Sequence, residues 1–160
     1  MRKMPVWQRG KKGKQVAETG FPNQSPYRPI LKLSKRKSLI ISIKGTSLSS
    51  AEKSLIFKEK PWGIILFKRN IKNINQLKLL TQSIRNVIND PYYPIILDEE
   101  GGRVSRLNNI IDTKSFSQRF FGKLFEKNKI FGETFYSEYL YNICMFLKST
   151  GININTIPVL

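Results

Sequence analysis

The stretch Asp98-Glu99-Glu100-Gly101-Gly102-Arg103-Val104-Ser105-Arg106 gathers three carboxylates, two glycines and two guanidinium groups within nine residues. Carboxylates accept hydrogen bonds and guanidinium groups donate them, so one of each facing a common cleft can hold several hydroxyls of a sugar. Arg suits this task better than Lys because its planar fork fixes the direction of each bond. Gly101-Gly102 lets the backbone turn sharply, or lets a ligand approach with no Cβ in the way. A plainer reading stands beside this one: Glu99 and Glu100 pair locally with Arg103 and the segment is a charged turn. Spacing alone weighs the two evenly. The adjacent carboxylates are a poor acid and nucleophile for glycoside cleavage, because those groups must flank a substrate at about 5 Å or more. A carboxylate-bound divalent cation is disfavoured as well, since the rest of the chain offers no matching ligands. No metal and no cofactor is expected.

The position of Asp98 depends on the elements before it. Pro94-Ile95-Ile96-Leu97 reads as a short buried strand, which puts Asp98 at its C-terminal end, where the sites of barrels and open parallel sheets form. Ser38 to Ile43 and Gly63 to Phe67 are two earlier apolar, β-branched runs and read as buried strands. A helix fits between them, capped by Ser49 or Ser50 with Glu52 in its first turn and stopped by Pro61. Asn73 can cap a longer helix whose Ile74, Leu77, Leu80, Ile84, Val87 and Ile88 keep to one face, before Asp90-Pro91 ends it. Asn108 to Asn128 is less regular. Phe131, Phe135, Tyr139, Ile143, Phe146 and Leu147 then mark a long amphipathic helix that stops at Gly151, and Ile152 to Leu160 reads as a fourth strand. Alternation of unbroken apolar strands with helices predicts an α/β fold on a parallel sheet. Such a unit is either a small doubly wound sheet or, since a (β/α)8 barrel takes about 250 residues, half of a barrel.

Composition narrows the chemistry further. The 160 residues contain 28 Lys+Arg, 11 Asp+Glu, no His and one Cys. Without an imidazole, Ser-His-Asp and Cys-His nucleophilic systems and histidine-ligated zinc cannot be built from these residues. At 40% hydrophobic and 11% aromatic the chain can bury a core. Of the net +17, residues 1–37 hold 11 basic residues against Glu18 alone. Four prolines and three glycines punctuate this head, which reads as a disordered, basic N-terminal extension ahead of a domain over 38–160. Such an arm could touch phosphate backbones without sequence specificity. The body is rich in Lys, Asn and Ile together, a drift that needs no anionic partner, so nucleic acid is a weak expectation. Leu39 to Ile43 is too short for a secretory core or a membrane span, which makes the cytoplasm the default compartment. Cys144 falls among apolar neighbours and reads as a reduced core residue.

Three runs in order carry a family resemblance: Trp62-Gly63-Ile64-Ile65-Leu66-Phe67-Lys68-Arg69-Asn70, then Asp98 to Arg106, then Ile157-Pro158-Val159-Leu160. Together they resemble the N-terminal part of glycoside hydrolase family 3, and within it the bacterial β-N-acetylhexosaminidases that recycle cell-wall sugars. Lys44-Gly45 and Leu48 fall where that family's first strand turns into its first helix. Glu99 stands where the family usually has Gln, and Ile157 where Ala precedes the Pro.

The resemblance implies a truncated N-terminal half of a (β/α)8 barrel, about four strands, and removal of terminal N-acetylglucosamine by a retaining mechanism. It places sugar binding on Asp98 and Arg106. The family's Lys-His pair, acid/base His and nucleophilic Asp lie beyond the fourth strand, so no catalytic residue is assigned here and the chain alone is expected to be inactive. A complementary C-terminal chain would be its partner if the enzyme is split. An inactive gene remnant is the second reading, and a basic-armed module for nucleic acid or an anionic surface the third. The uncovered faces of the last helix and strand are expected to be apolar and aggregation-prone.

Overall fold

A computed structural model of the protein describes residues 36–157. The order is β1 (Lys37–Ser42), α1 (Ser50–Glu59), β2 (Pro61–Leu66), a 3-10 turn (Lys68–Asn70), α2 (Ile74–Ile88), β3 (Ile95–Leu97), α3 (Gln118–Lys127), α4 (Lys129–Ser149) and β4 (Ile154–Asn155). The expectations for the basic head fall almost wholly outside the described residues, as do Pro158 to Leu160 of the last motif. Arg36 and Lys37, counted with that head, are described: they pair with Asp90 and Glu59, and Lys37 opens β1.

Local chemistry accounts for the helix ends. Ser49 caps α1 in a capping box, its hydroxyl accepting from the Glu52 amide while the Glu52 carboxylate accepts from the Ser49 amide. Lys60 then adopts a left-handed conformation and Pro61, which cannot continue a helix, starts β2. Asn73 caps α2 by accepting from the Gln76 amide, and Asn89 closes it in a left-handed turn.

The four strands pair in parallel in the order β1-β2-β3-β4. Consecutive order has no switch point, so this is the winding of a (β/α) barrel and not that of a doubly wound sheet, whose strand order reverses. One face of the sheet is covered. Ile64, Leu66, Ile95 and Leu97 pack there with Ile56 of α1, Leu77, Leu80 and Ile84 of α2, and Ile143 and Leu147 of α4. Each such side chain, fully buried, stabilises by about 1.5–3 kcal/mol. The opposite face carries Ile65, Ile96 and Ile154, which are register partners across β2, β3 and β4 and lie outside that cluster.

Several expectations need correction. Strand β1 is mostly exposed, with Ile40 at 50%, because it has one neighbour and stands at the edge of the sheet. Strand β2 begins at Pro61, two residues earlier than read, and β4 shrinks to Ile154–Asn155 within the described residues. The irregular stretch after Asn108 contains α3, capped by the Ser117 hydroxyl on the Phe120 amide. Cys144 is exposed: it follows the buried Ile143 by one residue and is thereby turned about 100° off the buried stripe of α4. Tyr141, Met145, Ile130 and Phe131 of α4 are exposed as well, in accord with an uncovered apolar helix face.

Candidate functional site

Strand β3 is only three residues long, and all three are buried. Its register with β2 sets which way the next residue points. Asp98 follows Ile96 by two positions and so shares its face, opposite the one that packs against α1, α2 and α4. Thr156, two positions after Ile154, falls on the same face, and its hydroxyl lies 3.3 Å from Asp98 Oδ1. Arg106 returns to the strand end from the far side of the loop, and its Nη2 donates to Asp98 Oδ2 at 3.2 Å. Both side chains are about a quarter exposed, so the pair meets solvent at the rim of the sheet. The two residues singled out for sugar binding are thus brought together.

Glycine geometry makes the loop between them possible. Gly101 and Gly102 have φ of 75° and 61°, a left-handed region that suits glycine. A Cβ on Gly101 would stand 2.5 Å from the Phe116 carbonyl oxygen, and one on Gly102 would stand 2.7 Å from the Ser117 Cβ. The glycines therefore serve a tight turn against residues 116–117, closed by an antiparallel bridge between Gly101 and Val104.

The charged-turn reading fails in its particulars. Among the described residues neither Glu99 nor Glu100 forms an ion pair with Arg103; the ion pairs are Arg36–Asp90, Lys37–Glu59 and Arg106–Asp98. Glu99 instead turns inward, 1% exposed, and accepts from the amides of Gly101, Arg106 and Leu107 and from the Thr113 hydroxyl. Its own amide donates to Asn155 Oδ1 at 3.1 Å, which ties the loop to β4. Sequence reasoning placed Glu99 in the motif without this role and missed Thr113 and Thr156; of the latter two, Thr156 left a signal, its place at the end of a strand beside the Ile157-Pro158 motif.

Beyond its bond to Asp98, Arg106 has a buried Nε with no partner, and so does the Nδ2 of Asn155. Unpaired buried donors cost about 1–3 kcal/mol each. Beside Asp98 and Thr156, the rim of the sheet therefore combines an acceptor, a cationic fork and a hydroxyl, which is the set needed to orient a polyhydroxylated ligand.

The Arg69-Asn70 pair, which ends the first of the three runs, is committed to architecture. Asn70 is buried and donates to the carbonyls of Ile43 and Gly45 while accepting from the Phe67 amide. Arg69 donates to the Ile43 carbonyl and the Ser42 hydroxyl and lies over the Phe67 ring. These contacts sew the loops after β1 and β2 together at the same end of the sheet as Asp98. Among the described residues no helix is long and apolar enough to cross a membrane, and no three metal-ligating side chains converge.

No protein-family model matches the chain. A β-hexosaminidase of Chromobacterium violaceum is 31% identical over 125 residues, covering 78% of this chain and 34% of its own length. One of Bordetella pertussis is 30% identical over 122 residues, with 76% and 34% covered. The chain thus spans about a third of the length of the curated relatives it matches. Among solved structures, NagZ from Neisseria gonorrhoeae in complex with N-trifluoroacetyl-D-glucosamine superposes with a TM-score of 0.66 at 30% identity, over 77% of this chain and 36% of that one. A glycoside hydrolase family 3 β-N-acetylglucosaminidase from Paenibacillus sp. str. FPU-7 shares the fold, with a TM-score of 0.56 at 22% identity. Sequence and fold agree with the order of motifs around Asp98, and the chain is a homologue of the glycoside hydrolase family 3 β-N-acetylhexosaminidases, matching their N-terminal part.

Proposed function

We propose that this chain supplies part of a sugar site in a glycoside hydrolase that removes a terminal β-linked N-acetylglucosamine. Asp98 accepts from ring hydroxyls and Arg106 donates to them, with Thr156 beside the pair. The observation that carries the reading is the 3.2 Å contact between Arg106 and Asp98 at the C-terminal end of a barrel-type strand, open to solvent. The N-acetylated sugar named with the Neisseria NagZ structure supports the choice of substrate.

The proposal extends to a complete (β/α)8 barrel, a retaining mechanism, and recycling of cell-wall sugars in the cytoplasm, all of which rest on the family resemblance. It also assigns the chain a limited share of the chemistry. With no histidine in 160 residues, a histidine acid/base must come from another polypeptide segment; among the described residues β1 and β4 are the outer strands of the sheet, each paired on one side. Binding and turnover are therefore tested separately. N-acetylglucosamine should shift the amide resonances of residues 98–106 in the wild-type chain but not in Asp98→Ala or Arg106→Ala. A chromogenic β-N-acetylglucosaminide should be hydrolysed only when a polypeptide supplying the rest of a barrel is co-expressed. Absence of any sugar-induced shift, or turnover by the 160-residue chain alone, would overturn the proposal.

A further inference from the structure

We infer that Glu99 is the positioning residue of this site: its buried carboxylate gathers the β3 loop around itself and thereby sets the Arg106 guanidinium against Asp98. The inference rests on the sugar-site reading of Asp98 and Arg106, and adds to it a residue that touches no ligand.

The geometry is specific. Glu99 Oε2 lies 2.7 Å from the Arg106 amide and 3.1 Å from the Leu107 amide, while Oε1 lies 3.2 Å from both the Gly101 amide and the Thr113 hydroxyl. Every partner is a donor, and a carboxylate is an acceptor at both oxygens, so charge and hydrogen-bond polarity agree around the group. A carboxylate taken wholly out of water is tolerated only under such compensation. Arg106 is bound to Glu99 through its backbone and to Asp98 through its side chain, so the same residue is held at both ends. The neighbouring Leu107 is fully buried in the core, which anchors the return of the loop. Glu99 therefore determines where the Arg106 backbone sits, and the guanidinium reaches Asp98 from there.

The chemistry also says which substitution should keep Arg106 in place, at the cost of the Gly101 bond. Gln at 99 can keep its carbonyl oxygen on the Arg106 and Leu107 amides and turn its NH2 toward Thr113, whose hydroxyl can accept. Only the bond from the Gly101 amide is then lost. Ala supplies none of the four, and Asp falls one methylene short of the Arg106 and Leu107 amides.

The test compares Glu99→Gln, Glu99→Ala and Glu99→Asp with Asn70→Ala, which loosens the neighbouring loops without touching Arg106. Two readouts are taken on each folded protein: N-acetylglucosamine affinity, and the side-chain NMR signals of Arg106, whose exchange with water reports whether the guanidinium is held. Glu99→Ala and Glu99→Asp should lose affinity by roughly tenfold to a hundredfold and release the Arg106 signals, the scale of one lost charge-assisted hydrogen bond. Glu99→Gln should restore both readouts to near wild type, and Asn70→Ala should leave both in place despite its lower stability. If Glu99→Ala falls short of folding, Glu99→Asp carries the comparison. Held Arg106 signals in both Glu99→Ala and Glu99→Asp, or released signals in Asn70→Ala, would overturn the inference. A wild-type chain that holds Arg106 but binds no sugar would instead overturn the functional reading while leaving the positioning role intact.

Discussion

The side-chain amide of Asn70 lies 3.1 Å from the carbonyl oxygen of Ile43, across 27 residues of chain. A second donation, to the Gly45 carbonyl at 2.8 Å, and the Phe67 amide bond at 2.8 Å complete the set. Asn70 thus replaces water for three backbone groups of two loops at once. Asn70→Ala strands those groups, and an unpaired buried donor or acceptor costs about 1–3 kcal/mol. The expected result is a lower urea midpoint, equivalent to a few kcal/mol of lost stability, with an unchanged m-value and without loss of the Arg106–Asp98 contact.

The turn at Gly101-Gly102 yields a sharper expectation, because backbone and packing oppose a side chain together. Gly101→Ala puts a Cβ on a residue with φ of 75° and directs it at the Phe116 carbonyl oxygen, 2.5 Å away. Left-handed backbone costs an ordinary residue about 1 kcal/mol or more, and the contact adds to it. Gly122→Ala makes a matched control within α3, since nothing lies within 4 Å of that position. Removing a helix-interior glycine there should stabilise by about 0.5–1 kcal/mol. Thermal unfolding of the two variants should move in opposite directions; equal shifts would sink the account.

Much of this architecture was legible in the sequence, and the parts that were not share a cause. Ser49, Asn73 and Gly151 announced helix ends because capping is chemistry between residues a few positions apart. The β-branched run at Ile95 announced β3 for the same local reason. Helix α3 stayed hidden because its Phe121 is buried by Phe116, Tyr136 and Tyr139, partners from the preceding loop and the next helix. Asp98 and Arg106 are found through their types and spacing, yet for the residue that sets them, Glu99, the sequence suggests only local pairing with Arg103 in a charged turn. Its donors are backbone amides and a threonine 14 residues away, and a backbone amide leaves no mark in a sequence. The exposure of Cys144 was missed on a smaller scale, since one residue on a helix separates a buried side chain from an exposed one.

That last placement is easily checked. The Cys144 thiol should react in full with a thiol-specific disulfide reagent in the native protein, at a rate little changed by denaturant. A thiol buried as a core residue would react only on unfolding.

The capping box of α1 couples stability to acid pH. The amides of Lys44 and Ser49 bond the Glu52 carboxylate and, as the largest causes, hold its pKa below the usual 4.5. A depressed folded-state pKa means that the stabilisation is complete above the unfolded value and disappears as pH falls through the folded one. Glu52→Gln should therefore be less stable than wild type near neutrality, and the gap should close as the solution is taken below about pH 4.5. Ser49→Ala removes the other half of the box and should cost about 0.5–2 kcal/mol. Urea midpoints measured across the acid range would show the convergence; a gap that persists in acid would mean that the Glu52 charge is irrelevant to it.

At the alkaline end the same linkage runs in reverse, and it reports on Glu99. The phenol of Tyr139 is pushed up to about 12, first by burial and then by the negative charge of Glu99 and by Tyr136. A hypothetical Cβ on Gly101 would stand 2.9 Å from the Tyr139 hydroxyl, so this phenol packs directly on the turn that Glu99 gathers. A raised folded-state pKa means that the native state holds the proton more tightly, so this contribution is whole below pH 10 and is lost as pH climbs toward 12. Tyr93, buried and donating to the Pro61 carbonyl, is also raised to about 12 and should titrate late alongside it. Absorbance near 295 nm should therefore show two late phenols among the described tyrosines, and Tyr139→Phe should remove one of them. Glu99→Gln removes a charge while leaving the burial, so the Tyr139 transition should move part of the way back toward 10. If it stays at its wild-type position, burial and Tyr136 set it without a contribution from residue 99.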